Sequence, residues 1–275
     1  MQKSRDYKYS VANTIRYRLD QESHQASSSY KIEFKKVENQ NFIVELSRNN
    51  FKINGKEITA KFAKIAHEYT TALFPVQFQI DNYSASLYNF NNISERVKIK
   101  DTELNLRYQG EGINYIRNSF LEKTIKSSDA MANYFSTLGL IRVILFCIQN
   151  LENNEQHQCK WLVNTLNFAT WWTGTKTYNL DSNTLKYQGE ITNTEELFDK
   201  LEEYANLYEL PLNIINREQA ITSSLRHDIQ FITQKLDFES TETEIKINHG
   251  FFEYQETLQI SAINNITDHE NQSQF

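Results

Sequence analysis

From residue 7 onward, apolar side chains recur at odd positions: Tyr7, Tyr9, Val11, Ile15, Tyr17 and Leu19. A helix scatters positions two apart around its axis, whereas a strand puts them all on one face, because successive Cβ atoms leave opposite sides of the pleat. Asn13 is the one break in the series. After a polar, Ser-rich stretch from 21 to 29, the alternation returns at Tyr30, Ile32 and Phe34, at Phe42, Val44 and Leu46, and at Phe51 and Ile53. The joints are short and polar, Glu38-Asn39-Gln40 and Arg48-Asn49-Asn50, so the segments read as meandering strands.

At Asn54-Gly55 the period changes. Ile58, Phe62, Ile65, Ala66, Tyr69 and Leu73 follow helical spacing, and Pro75 stops that helix because it lacks an N–H and disfavours an α conformation at Phe74. Val76, Phe78 and Ile80, then Tyr83, Ala85 and Leu87, resume strand spacing. In the middle, Ile113, Ile116, Phe120 and Leu121 suggest one helix. Ser128 or Asp129 would cap a second, carrying Met131, Tyr134, Phe135, Leu138, Ile141, Leu145 and Ile148. Beyond residue 158 come further strands, a capping box at Thr192-Asn193-Thr194-Glu195, and a helix with Leu197, Phe198, Leu201, Tyr204, Ala205 and Tyr208 on its apolar face, closed by Pro211. Residues 221 to 236 fit either a helix or a strand, and 264 to 275 form a polar tail.

Both prolines thus close an amphipathic helix just before a short strand, once at Glu68-Tyr69 to Pro75 and once at Glu203-Tyr204 to Pro211. Tyr108-Gln109-Gly110-Glu111 and Tyr187-Gln188-Gly189-Glu190 echo each other as well. The expected fold is α+β: two antiparallel β-rich halves, each with an amphipathic helix, joined by a helical middle segment. The expected division is 1–110, 111–150, 151–263 and a tail from 264 to 275. With 17 Phe, 15 Tyr and 3 Trp in 275 residues, core volume comes from rings more than from small aliphatics.

Charge narrows the function. A net charge of −6 supplies no cluster of cations for a phosphate backbone. The richest basic stretches, Lys3 to Arg18 and Arg96 to Lys100, interleave charge with apolar residues as on the outer face of a strand, so nucleic acid is not an expected partner. Two cysteines, Cys147 and Cys159, are too few for a disulfide framework. No apolar h-region follows Lys3 and Arg5, and the expected compartment is the cytoplasm. The longest apolar run, Leu138 to Ile148, contains Arg142 and is about half the roughly 20 residues of a bilayer span.

Catalytic and cofactor signatures are missing: no Gly-x-Ser-x-Gly elbow, no phosphate-cradling loop, no dinucleotide fingerprint, no His-Glu-x-x-His. Cys147, His157 and Cys159 lack an evident fourth ligand for zinc, and His67-Glu68 and His227-Asp228 are sequence neighbours that cannot face each other. We therefore expect no catalytic, metal or cofactor residues. The candidate interaction surface comprises Trp171, Trp172, Leu138 and Leu145. Adjacent tryptophans on a strand point to opposite faces, so one joins a core and the other faces solvent, a second layer or a partner. The leading expectation is a non-enzymatic protein acting through protein–protein contact or self-association, as a subunit or accessory factor. The alternatives are a β-cup that binds an apolar small molecule or lipid, and an enzyme with a dispersed site.

Overall fold

A computed structural model describes residues 7–37, 42–80, 85–149, 154–210, 215–232 and 238–263. The chain opens with β1 (Tyr7–Leu19), β2 (Glu22–Val37) and β3 (Phe42–Ile53). Then follow α1 (Lys61–Ala72), β4 (Val76–Ile80), β5 (Ala85–Leu87) and four helices: α2 (Phe90–Arg107), α3 (Glu111–Thr124), α4 (Ser128–Ser136) and α5 (Gly139–Gln149). The remainder is β6 (Asn154–Val163), a 3-10 turn at Asn164–Leu166, β7 (Phe168–Asn179), β8 (Thr184–Ile191), α6 (Glu195–Leu207), β9 (Thr222–Phe231), β10 (Phe238–His249) and β11 (Phe252–Ala262).

All the described strands belong to a single antiparallel sheet of 11, in the order β5-β4-β3-β2-β1-β11-β10-β9-β8-β7-β6. The first and last strands meet at its centre, where β1 runs against β11 from Tyr9↔Ala262 to Leu19↔Phe252. This ladder forms because both strands alternate in phase: Val11 lies opposite Ile260 and Tyr17 opposite Tyr254, so a shift of one residue would turn an apolar face to water. One face of the sheet is buried and the helices pack on it. Phe135 of α4 sits edge-on to Phe78 of β4 at 5.7 Å, Phe146 of α5 lies 5.5 Å from Tyr187 of β8, and Tyr204 of α6 lies 6.4 Å from Phe252 of β11. The opposite face carries polar side chains such as Arg16, Arg226, Asp228, Glu242, Lys246 and Gln255. A smaller core of Ile65, Tyr69, Leu104 and Ile113 joins α1, α2 and α3.

The α+β class holds, and several local expectations are corrected. Arg96 to Lys100 lie on α2, an 18-residue helix, and not on a strand. Only Ile93, Ser94, Val97 and Leu104 of that helix are buried, so its helical period is hidden in a polar segment, and the region up to residue 110 carries two helices instead of one. The single helix expected from 128 to 148 is two, bent by 89° between α4 and α5. Gly139 permits the bend to sit deep: a Cβ there would lie 3.2 Å from Leu258 and 3.5 Å from Trp161. The cap of α4 is Ser127, whose hydroxyl accepts from the Ala130 N–H at 3.1 Å, one residue before the expected position. The capping box of α6 does not form. Thr194 is the N-cap without a side-chain bond, and Glu195 instead pairs with Arg217 at 3.1 Å.

Residues 222–231 are strand, because β8 and β10 complete the ladder on both sides. Tyr108-Gln109-Gly110-Glu111 ends α2 and starts α3 while Tyr187-Gln188-Gly189-Glu190 lies inside β8, so the two echoes are not equivalent. The expected stop at Pro211 and the tail from 264 fall outside the described residues. Among the described residues no single helix is long and apolar enough to cross a membrane.

Candidate functional site

The half of the sheet from β6 to β11 is strongly curled. In a flat sheet these strands, five steps apart in the order, would be separated by roughly 24 Å at about 4.8 Å per step. Yet Asn164, in the turn that leaves β6, donates from Nδ2 to both carboxylate oxygens of Glu256 on β11 at 3.0 Å, and its backbone N–H donates to the Tyr254 hydroxyl at 3.2 Å. Trp161 of β6 likewise has its ring 5.2 Å from that of His227 on β9.

Glu256 is the centre of this closure. Asn13 of β1 donates to it at 3.0 Å and the Tyr254 hydroxyl at 2.7 Å, so four hydrogen bonds reach a carboxylate that is 2% exposed. Burial raises its pKa, and the donors and the Arg142 charge offset that only in part. With both oxygens bound by fixed partners, Glu256 acts as a latch between β11, β1 and the end of β6. The Tyr254 phenol beside it is held well above its ordinary pKa by burial and by that carboxylate.

Next to the latch, a half-open niche of about 230 Å³ runs round the free edge of β6. Arg142 of α5 guards that edge. Its Nη1 donates to the Lys160 carbonyl at 2.7 Å and its Nε to the Ser136 carbonyl at 2.5 Å, which blocks pairing of another strand to this part of β6. Arg142 is 8% exposed, and burial lowers its pKa to about 10. Trp161 lies beneath it, with the guanidinium carbon 5.6 Å from the ring centroid. His227 forms the inner wall, fully buried, with Nδ1 2.8 Å from the Thr243 hydroxyl and Nε2 without a partner among the described residues. Its pKa is lowered to about 3 by burial and by His157. Cys159, also in the wall, has its thiol pushed up to about 12 by burial, so it is a poor nucleophile near neutrality.

The structure brings two of the expected residues to this niche and separates the others. Leu145, half-buried on α5, and Trp171, 53% exposed on the outer face of β7, both line it. The Lys160 ammonium stands 5.9 Å from the Trp171 ring. Trp172 faces the other way and is 0% exposed, so it offers no contact area. Its carbonyl instead accepts from Tyr187 at 2.9 Å, and Tyr187 finds room because a Cβ at position 189 would overlap its hydroxyl. Leu138 is half-buried in the elbow between α4 and α5 and does not line the niche. Cys147 is packed in the core, and among the described residues no group of three or more His, Cys, Asp or Glu is placed to hold a metal.

Glu256 and Arg142 escaped sequence reasoning as site residues, and His227 entered it only beside Asp228. Glu256 and His227 are polar side chains standing where the strand alternation calls for an apolar one, as Asn13 does in β1, and Arg142 interrupts an apolar run.

An open antiparallel sheet, curled at one end and covered on one face by helices, defines the class of protein. No family model matches the chain, and no curated protein matches it. Among solved structures, one described as lipid-protein interactions in lipovitellin aligns with 98% of this chain at 11% identity and a TM-score of 0.46. The chain spans 26% of the length of that protein.

Proposed function

We propose that the protein is a non-enzymatic binding module whose curled sheet holds a small, largely apolar molecule at the free edge of β6. The observation that carries this reading is the niche itself, walled by Trp161, Phe146, Leu145 and Trp171. Its ionisable groups favour binding over proton transfer. The Cys159 thiol and the His227 imidazole are neutral near pH 7, far from the matched pKa that general acid–base work needs. A volume of 230 Å³ lies below the roughly 300–1,000 Å³ of pockets for drug-sized ligands, so the occupant is small.

A second reading, contact with a protein partner, draws on the exposed Trp171 ring, since aromatic side chains are favoured anchors at interfaces. Native purification followed by native mass spectrometry addresses both. A small-molecule adduct that disappears in Leu145→Asp supports the ligand reading, and an unliganded chain with a stoichiometric protein partner lost in Trp171→Ala supports the second. We propose further that 1–110 and 151–263 act as two structural halves around the β1·β11 ladder, which has successive strands of the chain on either side. A cytoplasmic location accords with two free cysteines, and cell fractionation tests it.

A further inference from the structure

We infer that the niche recognises an oxyanion head, specifically the carboxylate of a small acid with an apolar body, and that the His227 Nε2 atom is the group that binds it. This rests on the ligand reading above and specifies its chemistry. Two independent features lead to it. The first is Nε2, which has no hydrogen-bond partner among the described residues. A buried polar atom without a hydrogen bond is destabilising, and this one belongs to a fully buried ring in the niche wall. The Thr243 hydroxyl, 2.8 Å from Nδ1, can donate to that nitrogen and leave the proton on Nε2, a donor with no acceptor among the described residues.

The second feature is charge. Among the described residues Arg142 and Lys160 line the niche and no Asp or Glu does, which favours an anion there, although Glu256 acts on Arg142 through its field. Both cations lie beside aromatic rings, Arg142 over Trp161 at 5.6 Å and Lys160 over Trp171 at 5.9 Å. The same rings that hold the cations therefore offer apolar surface to the rest of the ligand. Carboxylate at the inner wall and hydrocarbon against Trp161, Phe146 and Leu145 satisfy the orphan nitrogen, the charge and the apolar walls together.

Octanoate and 1-octanol serve as probes, titrated into the full chain by calorimetry and by tryptophan fluorescence. Octanoate is expected to bind at least tenfold more tightly than octanol. His227→Leu should weaken octanoate about ten- to hundredfold and leave octanol almost unchanged, as expected for losing a hydrogen bond to a charged group. Lys160→Gln changes an exposed side chain and should weaken octanoate about two- to fivefold. If His227→Leu does not fold, the octanoate-to-octanol ratio and the Lys160→Gln result decide. Equal binding of the two probes, or a folded His227→Leu that keeps its octanoate affinity, overturns the inference and leaves the apolar-ligand reading standing. Failure of both probes to bind removes both.

Discussion

Two carboxylates in this molecule each accept a tyrosine hydroxyl at 2.7 Å, Asp101 from Tyr69 and Glu256 from Tyr254, yet their acidities move in opposite directions. Asp101 lies beside the small core of α1, α2 and α3. Burial pushes it up, but the Arg117 fork at 2.7 and 2.9 Å, the Tyr69 hydroxyl and the Arg117 charge together leave it below the ordinary value. Glu256 lies in the large core and has neutral donors, Asn13, Asn164 and Tyr254, with Arg142 acting on it only through its field. There, burial wins. Deeper burial of Glu256 and a cation in direct contact with Asp101, not the number of hydrogen bonds, separate the two.

The comparison breaks most sharply at the latch. Glu256→Leu leaves Asn13, Asn164 and Tyr254 without their shared acceptor and frees the end of β6 from β11. A loss of about 3–5 kcal/mol is expected in denaturant melts, because each stranded polar group costs about 1–3 kcal/mol. A loss under about 1 kcal/mol would mean that the curl is held by apolar contacts alone. Arg117→Met at the other site should cost about 1–2 kcal/mol, less because Arg117 is 35% exposed and water can reach the stranded Asp101. The pH dependence of these two sites has opposite signs. Asp101, with its folded pKa depressed, contributes stability above its unfolded value that is lost as pH falls through the folded one, so the Arg117→Met penalty should vanish in strong acid. Glu256, with its folded pKa raised by burial, contributes stability that is fully present below its unfolded value and is lost as pH rises through the folded one. Glu256→Gln cannot ionise and should therefore compare better with wild type at pH 7 than at pH 5. The reverse ordering in urea melts would refute the assignment.

How legible all this was varies by element. In β1 and β11 the alternation was plain, and the opposite facing of Trp171 and Trp172 followed from it. In α2 it was not, because a long surface helix buries few side chains and spreads its polar ones everywhere else. The α4–α5 bend was invisible for a different reason: from Leu138 to Ile148 the chain is apolar at nearly every position, which gives a helical run no preferred face. Arg142 was read only as an interruption of that run, and it became intelligible once the β6 edge carbonyl of Lys160 was seen beside it.

The sequence by itself determined which residues alternate, hence which share a face of a strand, and it marked Asn13 as out of place. Only the tertiary structure decided what that asparagine was for. Asn13 and Glu256 are 243 positions apart, and Asn164 and Glu256 92 apart. Period and propensity act over a few residues, whereas the meeting of these three depends on which strands become neighbours and how far the sheet curls. Those are set by burial of the whole apolar face at once.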